Sequence, residues 1–93
     1  MNLKSHQIVN LKLFGVMRKY SSAPLLQIEL PQTCPVSDLP IFLAEKLRSL
    51  HPGFQDIELI HDCAFATEDR ILGKHELVPT VAFIAVLPPV CGG

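Results

Sequence analysis

The chain is predicted to fold as one α+β domain, with a main helix laid across a mixed sheet, and three features carry that expectation. Two runs early in the chain alternate apolar and polar residues, the period-2 pattern of strands with one wet face. A stretch with apolar residues at helical spacing follows. The last long run, Val81-Ala82-Phe83-Ile84-Ala85-Val86-Leu87, is apolar on both phases, as in a central strand covered on most of its surface. Ninety-three residues, 48% hydrophobic and 18% charged, supply one modest core and have none of the polar bias of a disordered segment.

The first strand is expected over Ile8 to Val16, where Val9, Leu11 and Leu13 alternate with Asn10 and Lys12, placing Phe14 on the wet face. Arg18-Lys19-Tyr20 and the turn-prone Ser21-Ser22-Ala23-Pro24 lead to a second strand, with Leu26, Ile28 and Leu30 opposite Gln27 and Glu29, and the two form a hairpin. Ser37 is placed to cap a helix running to about Leu50, with its hydroxyl on the Leu39 amide because Pro40 has no N–H. Val36 is positioned to staple onto Ile41, and Asp38 suits the positive end of the helix dipole. Leu39, Leu43, Leu47 and Leu50, with Phe42, form the apolar stripe, and His51-Pro52-Gly53 stops the helix.

Ile57 to Ile60 and Ala64 to Thr67 read as short strands, with Arg70-Ile71-Leu72 closing a small hairpin after Glu68-Asp69. The order strand, strand, helix, short strands, central strand fits a β-grasp arrangement. Its last strand lies beside and parallel to the first, joined by the long intervening crossover.

The tail Pro88-Pro89-Val90-Cys91-Gly92-Gly93 carries the chemistry. Neither proline donates to a ladder, so the chain must leave the sheet after Leu87 in a stiff, extended form. Six residues at roughly 3.1 to 3.5 Å each reach about 20 Å, enough to thread a carboxylate into another protein's pocket. Paired glycines have no side chains and pass a narrow channel. Residues 88–93 are therefore expected to be a flexible functional tail on a domain spanning 1–93, with Gly93 as the reactive group and Gly92 beside it.

Elsewhere little points to chemistry. His61-Asp62-Cys63 lacks the paired spacing of a zinc site, so no metal is expected, and His75-Glu76 reads as a solvated pair. There is no Ser/His/Asp set, glycine-rich phosphate loop or paired-carboxylate cleft. With a net charge of −1 and scattered lysines and arginines, the chain shows no footprint for nucleic acid. The segment Met1 to Gln7 has no apolar signal region, the longest apolar run falls short of a membrane span, and three cysteines at irregular spacing suit free thiols. The expected location is the cytoplasm.

With these pieces in view, the chain resembles the ubiquitin-like sulfur-carrier family, in particular its molybdopterin synthase small subunits, to which the thiamine-pathway carrier is related. The matching segments are Leu13-Phe14-Gly15-Val16-Met17-Arg18, His51-Pro52-Gly53, Phe65-Ala66-Thr67 and Val86-Leu87-Pro88-Pro89-Val90-Cys91-Gly92-Gly93. The resemblance implies that an E1-like adenylating enzyme, using ATP and Mg, activates Gly93. A sulfur donor then converts it to a thiocarboxylate, which enters the large synthase subunit and gives sulfur to a pterin precursor in molybdenum cofactor biosynthesis. It implies a non-catalytic carrier subunit of a sulfurtransferase, with no stably bound cofactor. Phe14, Arg18 and Leu87 would contact partners on the body of the domain, and Pro88, Pro89, Val90 and Cys91 along the tail. Cys91 departs from the Ser, Thr or Ala usual there and is read as a small apolar residue. The same chemistry would also serve a carrier for thiamine, tRNA thiolation or another metabolite, or a ubiquitin-like modifier joined to a target lysine. A noncatalytic interaction domain would use the sheet alone.

Overall fold

The computed structural model describes residues 6–89 and contains a four-stranded mixed sheet with a helix across it. Strands β1 (His6–Leu13) and β2 (Leu26–Pro31) pair antiparallel from His6↔Pro31 to Leu11↔Leu26, as the alternating runs predict. Strand β4 (Ile84–Leu87) lies beside β1 and parallel to it, with Leu11↔Ile84 and Leu13↔Val86 in register. The short β3 (Ala64–Ala66) closes the order β2-β1-β4-β3 by pairing antiparallel with β4. The last strand thus sits inside the sheet next to the first.

Val9, Leu11, Leu26, Ile28, Leu30, Ile84 and Val86 point from the sheet into the core. Helix α1 (Leu39–Leu50) covers that face with Leu39, Leu43, Ala44 and Leu47. Its apolar stripe ends one turn before the spacing predicts, since Leu50 is 46% exposed. The helix stops where expected: His51 is extended (φ −134°, ψ 91°) ahead of Pro52, while its N–H still donates to the Leu47 carbonyl at 2.7 Å.

Four local expectations are corrected. The first strand ends at Leu13, not Val16, because Gly15 turns into the left-handed region (φ +56°) and opens a 3-10 helix over Gly15–Tyr20. That turn reverses the burial pattern: Met17 enters the core and Val16 is left 56% exposed. The helix start also differs. Val36–Asp38 form a 3-10 turn before α1, and neither the Ser37 nor the Asp38 side chain caps it. The backbone of a distant loop takes that role, with Val36 and Ser37 N–H donating to the carbonyls of Glu76 (2.8 Å) and Lys74 (3.0 Å). Val36 is drawn into the core while Ile41 stays 49% exposed, so no staple forms between them.

Ile57 to Ile60 belongs to a short helix, α2 (Ile57–His61), and not to a strand. Three apolar residues around Glu58 fit either form, and the burial of Ile60 against the core decides it. Finally, β4 begins at Ile84, three residues later than the apolar run, with Val81 exposed and the Ala82 carbonyl accepting from Asn10 Nδ2 at 3.2 Å. The small hairpin after β3 is present as a bridge between Ala66 and Ile71, closed by Thr67 N–H to the Arg70 carbonyl at 2.9 Å.

Glu76 is also more engaged than a solvated pair. Its carboxylate accepts from the Arg70 guanidinium and from the Gly73 N–H (2.7 Å), which hold its pKa down to about 2. The loop that feeds backbone carbonyls to the start of α1 is tied by this side chain.

A second tie joins the 3-10 helix to the segment after α1. Tyr20 stacks edge-on against Phe54 (5.1 Å between centroids) and His51 (5.8 Å), its hydroxyl donates to Asp56, and its carbonyl contacts His51 Nε2 at 2.7 Å. Desolvation and the Asp56 carboxylate push the phenol up to about 12. Because Tyr20 is the one tyrosine and there is no tryptophan, phenolate absorbance reads this group alone. The expected midpoint lies near 12, and Asp56→Asn should move it toward the ordinary value of 10.0. A raised folded-state pKa stabilises fully below the unfolded value near 10 and is lost as pH rises through about 12. A native midpoint of 10 would refute the tie.

Candidate functional site

The site is the corner where the chain leaves the sheet. Leu13 pairs with Val86, and the Phe14 N–H extends that ladder by one bond to the Val86 carbonyl (3.2 Å). The next residue, Gly15, both turns the backbone and makes room for the exit. A Cβ built on it would stand 2.9 Å from Pro88 Cγ, a spacing that side-chain carbons do not adopt. Pro88 therefore rests on the bare backbone of Gly15, just past the end of β1.

This gives Gly15 two reasons to be glycine. Gly15→Ala should lose about 1–2 kcal/mol from left-handed backbone alone, with further loss as Pro88 is displaced. Denaturant unfolding measures the first effect and backbone shifts of Phe14 and Leu87 the second. An unaltered midpoint would show that the turn is not constrained.

The sheet face away from α1 carries the predicted contact residues. Lys12 lies opposite Ala85, and Leu87 opposite Ala64, while the alternate positions Leu11, Ile84 and Val86 are buried on the other side. Phe14 is half-buried on this outer face, as its place after the strand predicts. The Lys12 ammonium sits 5.5 Å from the centroid of the Phe14 ring and 5.4 Å from that of Phe83, bridging the two aromatic side chains. Arg18, exposed on the 3-10 helix, lines the same groove as Lys12, Phe14 and Gly15.

Of the sequence-predicted site residues, Phe14, Arg18, Leu87 and Pro88 are thus gathered at one corner, with the exposed Pro89 following. Val90, Cys91, Gly92 and Gly93 lie outside the described residues. Three contributors escaped the sequence reading. Lys12 enters the sequence reading only as a wet position of the first strand and Phe83 only as part of the last apolar run, although Lys12 and Phe14 two apart on one strand share a face. Gly15 was seen only as part of a motif, and its contact with Pro88 joins residues far apart in the chain.

Neither Cys34 nor Cys63 lines this groove. Cys34 is buried and Cys63 half-buried, both as free thiols, and burial with Asp62 nearby raises Cys63 to about 11. Cys63 therefore stays protonated near neutral pH, donating to the Leu59 carbonyl at 3.3 Å. Among the described residues no group of three or more His, Cys, Asp or Glu is arranged to hold a metal ion, and no helix is long and apolar enough to cross a membrane.

No family model matches the chain, and no curated protein does. Two solved structures from Haloferax volcanii share its fold. The crystal structure of SAMP1 superposes with a TM-score of 0.65 at 20% identity, covering 94% of this chain and all of that one. The solution structure of the HVO 2177 protein gives 0.68 at 19% identity, covering 100% of this chain and 92% of that one. The fold is a ubiquitin-like β-grasp.

Proposed function

We propose that this ubiquitin-like β-grasp domain is a sulfur carrier, and that it serves as the small subunit of a molybdopterin synthase. The observation that carries the reading is the delivery of the tail. A central strand ends at Leu87 and hands Pro88 onto Gly15, so the chain leading to Gly92-Gly93 leaves the sheet from a seated position.

The chemistry follows from the acyl group. A carboxylate is a poor electrophile, so the partner adenylating enzyme joins Gly93 to AMP at the expense of ATP, releasing pyrophosphate. Attack by sulfide-level sulfur, as hydrosulfide, breaks the acyl–phosphate bond, releases AMP and a proton and leaves a thiocarboxylate. The large synthase subunit then transfers that sulfur to the pterin precursor, and water supplies the oxygen that restores the carboxylate. This chain supplies a handle and a docking face, with Phe14, Arg18 and Leu87 on the body and Pro88 to Cys91 guiding the end. The partners supply the catalytic groups.

Incubation with a candidate E1-like enzyme, ATP, Mg and a sulfur donor tests the reading by intact mass. The expected product is heavier by the difference between sulfur and oxygen, and adding the large subunit should convert precursor to the dithiolene pterin and restore the original mass. A covalent adduct on a lysine of a second protein would instead establish a modifier. Charging without pterin conversion would assign the carrier to another sulfur pathway.

A further inference from the structure

We propose that the groove beside the tail exit seats an acidic segment of the partner protein that takes up the terminus, with Lys12, Arg18 and Lys19 as its reading cations. The carrier reading above supplies the identity of that partner; the groove's chemistry stands on its own residues.

The groove runs from Lys12 and Phe14, past Gly15 and the first face of the 3-10 helix, to Ser21–Pro24, and encloses about 910 Å³. Its lining contains three cations and no carboxylate, in a chain whose net charge is −1. Among the described residues the ion pairs are His6 with Glu29 and Arg70 with Glu76, and none of the three groove cations is paired with a carboxylate of those residues. An uncompensated cluster of this kind concentrates positive potential in a concavity and raises the local concentration of anionic groups.

Two of the cations are also held in place. Lys12 lies over Phe14 and Phe83, and Lys19 stands 5.2 Å from the centroid of the Tyr20 ring, itself tied to Asp56 and Phe54. An ammonium on a ring face keeps its charge while losing rotamer freedom, so less entropy remains to be lost when a carboxylate arrives. The three cations are spread along the groove from Lys12 to Lys19, whereas a small-molecule site converges a few polar groups upon its ligand. Several Asp or Glu side chains on one extended segment match this layout. Because Gly15 both lines the groove and seats Pro88, the groove lies next to the point where the tail leaves the sheet.

Two measurements on the full chain test the assignment. First, amide shifts are followed at low salt during titration with a short peptide alternating glutamate and leucine, its glutamine counterpart, and inorganic phosphate. The glutamate peptide should shift residues 12–19 and 21–23 and bind about tenfold tighter than the glutamine peptide, a preference that disappears in the Lys12→Gln/Arg18→Gln/Lys19→Gln variant and at high salt. Equal binding of the glutamine peptide, scattered or absent shifts, or phosphate matching the peptide in affinity would overturn the proposal. Second, charging by the adenylating enzyme should show KM raised about tenfold in the triple variant with kcat retained, while Arg48→Gln, exposed on α1, changes neither. An unchanged KM would overturn the acidic seat and leave the carrier reading standing. If the unsubstituted chain is not charged at all, the carrier reading fails and the peptide titration alone decides the groove.

Discussion

Deleting Gly93 is expected to abolish charging while leaving the fold unaltered. The shortened chain still carries a carboxylate, now on Gly92, but that group is withdrawn by about 3.5 Å along an extended backbone. Misplacement of a reacting group by about 1 Å can cost on the order of a hundredfold in rate. A shift several times larger removes the carboxylate from reach of the nucleotide, and no mass change should be detected on the time scale that converts the intact chain completely. None of the described strands, helices or core residues is touched by the deletion, so unfolding free energy should stay within about 0.5 kcal/mol. Undiminished charging would mean that the reactive group lies elsewhere. Loss of charging together with loss of stability would assign the tail a structural part.

The largest effect on stability is expected at the centre of α1. Leu43 is fully buried between the helix and the sheet, and truncation to alanine removes its apolar contacts and leaves a cavity. The expected loss is about 2–5 kcal/mol. At roughly 0.05–0.15 kcal/mol per residue, that is a large share of the total stability of a domain this size. The melting temperature should fall by more than about 10 °C. Ile41→Ala, two residues earlier on the same helix but 49% exposed, is the control and should stay within about 0.5 kcal/mol. Comparable losses at both positions would contradict the packing of α1 and revive the staple to Val36.

The contrast between those two residues shows why some of the fold was legible and some was not. Leu39, Leu43 and Leu47 recur at helical spacing, and a stripe of that kind has one way to be buried. Val36 and Ile41 offered an equally plausible local pairing. What decided against it was the loop carrying Glu76, whose carbonyl takes the Val36 N–H and draws that residue inward. No local signal near Val36 announces a partner forty residues away. Ile57 to Ile60 failed for a related reason: three apolar residues in a run of four carry too little periodicity to separate strand from helix, and contact with the core settled it.

The candidate site divides in the same manner. Prolines after an apolar run mark the exit from the sheet, and Phe14 and Arg18 were placed near it by motif. The bridging of Phe14 and Phe83 by Lys12 required β1 and β4 to lie side by side. The seat of Pro88 on Gly15 required the same pairing, and with it the left-handed turn that ends β1.

By itself, the sequence determined the main helix, the antiparallel hairpin, the central place of the last strand and the point where the tail departs. Each is written in short-range alternation, in helical spacing or in the inability of proline to join a ladder. The seat of Pro88, the cations gathered beside it and the backbone cap of α1 were decided only by tertiary structure. These depend on groups brought together from opposite ends of the chain, and pairing over such distances is set by which apolar faces can be buried at once.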